Sequence, residues 1–464
     1  MSIAPFTIES QYLDDSRNAI RQRVIPWFAL IKSGLLTNDE ANRLEFLGRV
    51  TTEKDFGKII PEIDLYTTTA FSLLSKITRD DIIKYLLNLI LDLMTNLKEF
   101  QESLLSLNDV DTSLPYQTFL NHLNSNDEDI KLLVINNLAV LYLLKPITTN
   151  ENKDGLLKLF DVLFSELINS SNLNLQNISV QVLSELLTIK NHRNIFWLKN
   201  NKFIPPLINL LKNKKSSLQV QYLTLLSLWL LSFNDKISTE LPMNYNNLIK
   251  ILVNISKDSI KEKIVRLSIS ILVNFINGNG YEQERIKVIK ILLLNDSLSI
   301  IKNLNDRKWA DQELIEDLAK MLEILNENYE KLTSFDEYLL ELDSGVMTWS
   351  PPHRSKEFWS NYASKFKDQN YKLFKQLIAL LNKIITENTN NKNLTNDQEK
   401  NLNKILSVIC NDICQIITYV PEALAVLSKL DDSKAKIMEL MTSKDVNLRY
   451  EALKTTQVLV AHAI

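Results

Sequence analysis

Cysteine and histidine are the side chains best suited to nucleophilic, acid–base or metal chemistry, and this 464-residue sequence has two of the first and four of the second. Cys410 and Cys414 lie four apart in an apolar stretch. On a helix they share one face, one turn apart, and read as small core residues of a reducing compartment. A zinc site needs about four ligands, and no third cysteine or nearby histidine supplies them. The histidines are His122, His192, His353 and His462, with no H-E-x-x-H spacing and none beside a cysteine. His353, directly after Pro351 and Pro352, is read as a loop residue of structural or surface role.

The other motifs of chemistry are also missing. With 7 glycines, the sequence contains neither a G-x-x-x-x-G-K-[ST] phosphate loop nor a G-x-G-x-x-G dinucleotide turn, so no cofactor is expected. Acidic neighbours such as Asp336 and Glu337 are common in a chain with 56 acidic residues, and a solvated helix face accounts for them. Lys212, Lys214 and Lys215 form a short basic cluster without interleaved aromatics. Together with a formal charge of −3, this argues against a nucleic-acid partner. Nothing in the sequence favours an enzyme.

The elements carrying these residues are helices. The 7 Gly and 11 Pro are far too few for the turns of a sheet-rich chain. Tyr371, Phe374, Leu377 or Ile378, Leu381 and Ile384 mark one face of an amphipathic helix. A longer period is superimposed on this one. The apolar blocks 139–144, 182–187, 225–230 and 268–273 each begin 43 residues after the one before, with Ser184, Ser227 and Ser270 in register. That step belongs to HEAT and armadillo repeats, in which neighbouring helical pairs bury faces that no pair buries alone. Polar breaks at Asn169–Asn172, Lys212–Ser216 and Lys257–Ser259 separate the blocks, and the helix 81–94 fits the style but not the spacing.

The longest uncharged stretch, Ser216–Asn234, has an apolar part of 12 residues (Tyr222–Phe233), against about 20 for a membrane helix. It is predicted to be a buried core helix. The opening, where Asp14 and Asp15 follow Phe6-Thr7-Ile8, has no signal-peptide pattern, so a cytosolic protein is expected. Ser334 and Glu337 offer a capping box for a helix that Gly345 would end. Trp349-Ser350-Pro351-Pro352-His353 is read as non-helical punctuation, because proline forces the residue before it to be extended. Further on, the polar loop 387–393 precedes a second capping box at Thr395 and Gln398. Phe358, Trp359, Tyr362 and Phe366 are expected in the core. The last helix, from about Asp445, carries Val446, Leu448, Leu453 and Val458–Val460 in a repeat-like pattern. The fold class is thus all-α: a HEAT/armadillo-like right-handed helical solenoid with a smaller helical C-terminal domain. The expected organisation is a repeat domain at 1–332, a boundary or hinge region at 333–353, and a C-terminal helical domain at 354–464.

One segment carries a specific resemblance. Leu332 to Ser344, then Trp349-Ser350-Pro351-Pro352-His353 and Phe358-Trp359, resembles the signature of the V-ATPase H-subunit family. Similarity continues through Asn370–Ile378, Gln221–Leu231, Ile260–Lys263 with Arg266, and Tyr450–Lys454. Near the start it includes Arg21, Arg23, Trp27 and Ala29-Leu30. The resemblance implies a non-catalytic regulatory subunit of the vacuolar proton-pumping ATPase. Such a subunit couples ATP hydrolysis to proton transport and silences hydrolysis by the detached cytosolic sector. It also implies partners: the E and G subunits of the peripheral stalk, the cytoplasmic part of the a subunit, and catalytic-sector subunits after release, with membrane contact only through the complex. The loop of Asn388, Thr389, Asn390, Asn391, Lys392 and Asn393 falls where the family has a loop implicated in inhibition. Gly345, Trp349, Pro351, Pro352 and His353 are candidate hinge residues. The loop 430–434 lacks the glycines expected there. Two rival readings stand beside this one: a general armadillo or HEAT adaptor, whose Trp ladder the tryptophans at 27, 197, 229, 309, 349 and 359 do not form, and an unrecognised enzyme.

Overall fold

A computed structural model describes residues 6–50, 53–147, 152–213, 216–278, 282–295, 297–390, 396–430 and 432–462. Among these residues the regular structure is helical, with no strand. The chain divides into two compact units, Met1–Gly280 and Tyr281–Ile464.

In the first unit the 43-residue period becomes a stack. Helices Asp80–Asn96, Glu128–Leu144, Leu173–Leu186, Leu218–Ser232 and Glu262–Asn277 pack each on the next. Each apolar block lies in one of the last four, with Leu187 as the cap that ends Leu173–Leu186. The Glu128–Leu144 helix buries every residue from Leu132 to Tyr142, because it is covered on several sides. A second row, including Asn200–Lys212 and Asn247–Asp258, packs against the following stack helix. Two of the three registered serines, Ser184 and Ser227, sit inside. Ser184 and Ser227 donate to the carbonyls of Gln181 and Leu223 within their own helices, both at 2.9 Å. Half-buried Ser270 instead accepts from Trp229 Nε1 of the preceding repeat at 3.0 Å. Other bonds spanning about one repeat tie the stack, such as Trp197 Nε1 to Glu240 at 2.7 Å and Asn274 Nδ2 to Ser232 at 2.8 Å. The polar breaks fall at helix ends: Asn172 caps Leu173–Leu186, and Ser259 ends Asn247–Asp258. Lys214 and Lys215 lie outside the described residues.

In the second unit, helices Glu282–Leu294, Ser297–Asn305 and Gln312–Leu332 pack together, and the last touches the turn Pro351–Arg354. Ser334 caps Phe335–Ser344 by accepting from Glu337 N at 3.2 Å, and Gly345 ends that helix at φ +69°. Only half of the expected capping box forms at Ser334, because the Glu337 carboxylate pairs with Lys290 at 2.5 Å. Beyond it lies a core in which Phe358, Trp359, Phe366, Phe374, Leu377 and Leu381 are buried. Long helices Asn396–Tyr419 and Val446–Ala461 lie against each other.

Two expectations are corrected. Pro351–Arg354 is a helical turn, although the diproline pattern predicts a non-helical break. The prolines occupy its first two positions, where a missing N–H costs nothing, and only Ser350 before them is extended. The polar loop expected from Glu387 begins later, since the helix runs on to Asn390. On the last helix Leu448 and Leu459 are buried, but Val446, Leu453 and Val460 face solvent. Thr395, of the second capping box, lies outside the described residues.

Among the described residues, non-glycine residues take left-handed backbone in three places. Asn152, just before helix Lys153–Val162, has φ +59°. Asp432, in the loop that lacks glycine, has φ +45°. Gln369, Asn370 and Tyr371 form a left-handed turn at φ +48°, +58° and +60°, so the regular part of their helix starts after Tyr371. Left-handed geometry costs roughly 1 kcal/mol or more per residue that has a Cβ, of which glycine's greater unfolded freedom returns part. Exposed Gln369→Gly is therefore expected to stabilise the protein by about 0.5–1 kcal/mol, read from the urea midpoint. A lowered midpoint would mean that the side chain holds the turn.

Candidate functional site

The tryptophan–diproline–histidine block leads to the most polar place in the core of the second unit. Its turn directs His353 inward, where the imidazole is fully shielded between two carboxylates. His353 Nδ1 lies 2.8 and 2.9 Å from the two oxygens of Asp412, in helix Asn396–Tyr419. Nε2 lies 2.8 Å from Glu341 Oε2, in helix Phe335–Ser344. Each carboxylate has further donors. Tyr338 OH donates to Asp412 at 3.1 Å, while Thr348 and Ser350 hydroxyls donate to Glu341 at 3.1 and 2.9 Å. Asn411 Nδ2 donates to the His353 carbonyl at 2.8 Å. Tyr338 stacks obliquely over the imidazole at 5.3 Å and meets Trp359 edge-on at 5.7 Å.

Burial alone would strip His353 of its charge. The Asp412 charge and the bonds from Asp412 and Glu341 outweigh it and carry the imidazole up to about 9. Burial raises Asp412 as well. For this coupled pair the imidazolium form is the one the geometry supports, since both ring nitrogens face carboxylates. Glu341 is also desolvated, but its bonds from His353, Ser350 and Thr348 hold it below the usual range.

The arrangement resembles an acid–base relay, yet neither ring nitrogen is open to a substrate. The only acceptors His353 can serve are already bound to it. What the node does is join three elements, the helices of Glu341 and Asp412 and the proline turn between them, through charge-assisted bonds. Burial pushes the thiols of Cys410 and Cys414 up, so neither is a ready nucleophile at neutral pH. Among the described residues no group of His, Cys, Asp and Glu is arranged to hold a metal ion.

The other candidates lie apart from this node. Asn388, Thr389 and Asn390 are the last turn of helix Asp368–Asn390, and Asn391, Lys392 and Asn393 lie outside the described residues. Gly345 is a helix cap, Trp349 is half-buried against the core, and Pro351, Pro352 and His353 are buried. Sequence reasoning missed Glu341 and Asp412. A signal for Asp412 was present: it is a lone charge inside the apolar run Ile409–Ile417.

Two family models, both described as the H subunit of the V-ATPase, match residues 11–325 and 331–463. The chain is 28% identical over 450 residues to a fruit fly (Drosophila melanogaster) protein named as the H subunit of V-type proton ATPase, covering 96% of this chain and 88% of that one. It is 25% identical over 439 residues to a Caenorhabditis elegans protein named as a probable H subunit, number 2, of V-type proton ATPase, covering 94% and 88%. Among solved structures it is similar to a designed armadillo repeat protein, at 14% identity and a TM-score of 0.41, over 57% of this chain and 99% of that one.

Proposed function

The chain belongs to the V-ATPase H-subunit family, and from that premise we propose that it couples ATP hydrolysis in the cytosolic sector to proton transport in the membrane sector. In the same reading it silences hydrolysis when the sectors separate. The observation that carries this is the match of the family along nearly the whole chain, 11–325 and 331–463, rather than at one motif. The role is regulatory, and neither the His353 node nor the two cysteines are assigned a catalytic step.

The physical properties of the parts support the reading. A coupling subunit must resist torque, and a stack of buried helices joined by inter-repeat hydrogen bonds is stiff in the required sense. We assign the E and G subunits of the peripheral stalk to the repeat portion. The cytoplasmic part of the a subunit, or the catalytic sector after release, falls to the C-terminal portion. The protein would then sit on the cytosolic face of vacuolar or endosomal membranes through the complex. No helix among the described residues is long and apolar enough to cross a membrane. The segment 388–393 is assigned as an inhibitory contact.

Switching between two roles calls for a flexing point. The region 333–353 is the proposed place, but the His353 node ties its later part to helix Asn396–Tyr419. Bending is therefore placed at Thr333–Ser334, ahead of Tyr338, the first residue held by the node, and it would break the Lys290–Glu337 ion pair.

The test is to add the purified chain to a catalytic sector that lacks this subunit and to follow ATP hydrolysis. Binding at one copy per sector with loss of hydrolysis is expected. Absence of both binding and effect would overturn the proposal.

A further inference from the structure

Outside the His353 node the surface of the second unit opens into a cavity of about 480 Å³. Its walls come from the turn after the prolines, the helix Asn396–Tyr419 and the last helix. Three cations line it, Arg354, Lys356 and Lys454, against one carboxylate, Glu451. Lys454 lies 3.7 Å from Glu451 and so offsets that charge. Arg354 and Lys356 are exposed, and among the described residues no carboxylate pairs with either. The Arg354 guanidinium lies 5.1 Å from the centre of the Trp349 ring, which fixes its position at the rim. The cavity is thus cationic in a chain whose formal charge is −3.

Two further features specify more than an anion. The rim is apolar: Tyr450 is 63% exposed, with Val446 and Leu453 on the same side of the last helix at 66% and 47%. The half-buried Gln415 side chain makes no hydrogen bond among the described residues. What such an amide can do is visible elsewhere in the chain. Gln181 accepts from the Glu9 backbone N–H at 2.8 Å and donates to the Glu9 carbonyl at 2.9 Å, holding an extended segment by its peptide groups.

We propose that this cavity binds an extended acidic peptide segment of a partner protein, with its carboxylates on Arg354 and Lys356 and its backbone on Gln415. The peptide supplies at once the negative charge, the backbone groups and the side chains that cover Tyr450 and Val446. An inorganic phosphate or a lipid headgroup phosphate supplies only the first. The inference does not depend on which protein carries the segment, and it stands or falls separately from the coupling role.

The test uses the full chain and a fluorescently labelled decapeptide of alternating glutamate and valine, followed by anisotropy. Saturable binding is expected, weakened about tenfold by R354E or by K356E, the equivalent of about 1.4 kcal/mol. Raising salt from about 50 to about 200 mM should weaken it further, because the charges are exposed. Y450A should weaken it without changing its salt dependence. All three substituted side chains face solvent, so the fold survives each change and circular dichroism should be unaltered. A peptide with glutamine in place of glutamate should not bind. The proposal is overturned if the wild-type chain fails to bind up to about 1 mM peptide, or if R354E binds equally well. It is also overturned if inorganic phosphate or phosphatidylserine vesicles occupy the site in preference to the peptide, which would mark it as an anion or membrane surface.

Discussion

Asp412→Ala is expected to destabilise the second unit by about 3–5 kcal/mol, the range for a buried ion pair that loses one partner. The reason lies in what remains. His353 keeps Glu341 at 2.8 Å but loses the acceptor of its other ring nitrogen, and the Tyr338 hydroxyl loses its acceptor too. Both groups are fully buried, so water does not replace the lost bonds. Either His353 discharges inside the core or the region loosens, and each route costs stability. Asp412→Asn should cost less, because its amide oxygen still accepts from the ring or from Tyr338. Replacing His353 and Asp412 together by leucine should cost much less than the sum of the two single leucine changes, since the one carboxylate then left, Glu341, keeps its Thr348 and Ser350 donors and some contact with solvent. Urea unfolding, with hydrogen exchange of the amides in helix Asn396–Tyr419 to separate this unit from the other, reads the wild type, D412A, D412N, the single leucine variants H353L and D412L, and the double variant. Additive losses would show that the node is not one coupled device.

How much of the fold and the node is legible in the sequence depends on the range of each interaction. The repeat stack can be read because its cause is local and periodic: blocks of apolar residues 43 apart must face one another, and those at 182, 225 and 268 do so in successive helices. Gly345 can be read because one residue decides a helix end. The His353 node cannot. Its members stand at 338, 341, 353 and 412, so the longest link spans 74 residues, and no local pattern encodes that meeting. The prolines are legible as a break but not as the first turn of a helix, since the two uses differ only in the backbone taken by the residues after them. The last helix marks another limit of pattern. Val446, Leu453 and Val460 have the spacing of a core face, but a stripe that meets a partner protein has the same spacing as one that meets the core.

The two buried histidines should give the two units opposite responses to pH. His192, in the first unit, has Nδ1 at 3.0 Å from the Leu186 carbonyl and Nε2 at 3.5 Å from the Ile147 N–H, so it is held as a neutral ring that donates at one nitrogen and accepts at the other. Burial lowers it to about 4, against an ordinary value of 6.5, with the bond to Leu186 opposing. Between those values the unfolded chain binds a proton that the folded chain refuses. Its contribution is therefore fully present above about pH 6.5 and is lost as pH falls through about 4, a swing of about 3 kcal/mol. His353 has the reverse sign. Its folded value of about 9 lies above the ordinary one, so its contribution is complete below about pH 6.5 and is lost as pH rises through about 9. Hydrogen exchange at pH 5, 7 and 9, corrected for the intrinsic rate, should show helix Leu173–Leu186 weakening on the acid side and helix Asn396–Tyr419 on the alkaline side. His192→Gln, which keeps a donor and an acceptor but does not titrate, should flatten the acid response and leave the alkaline one in place. Parallel loss of both helices at both extremes would mean that net charge, rather than these two rings, governs the pH response.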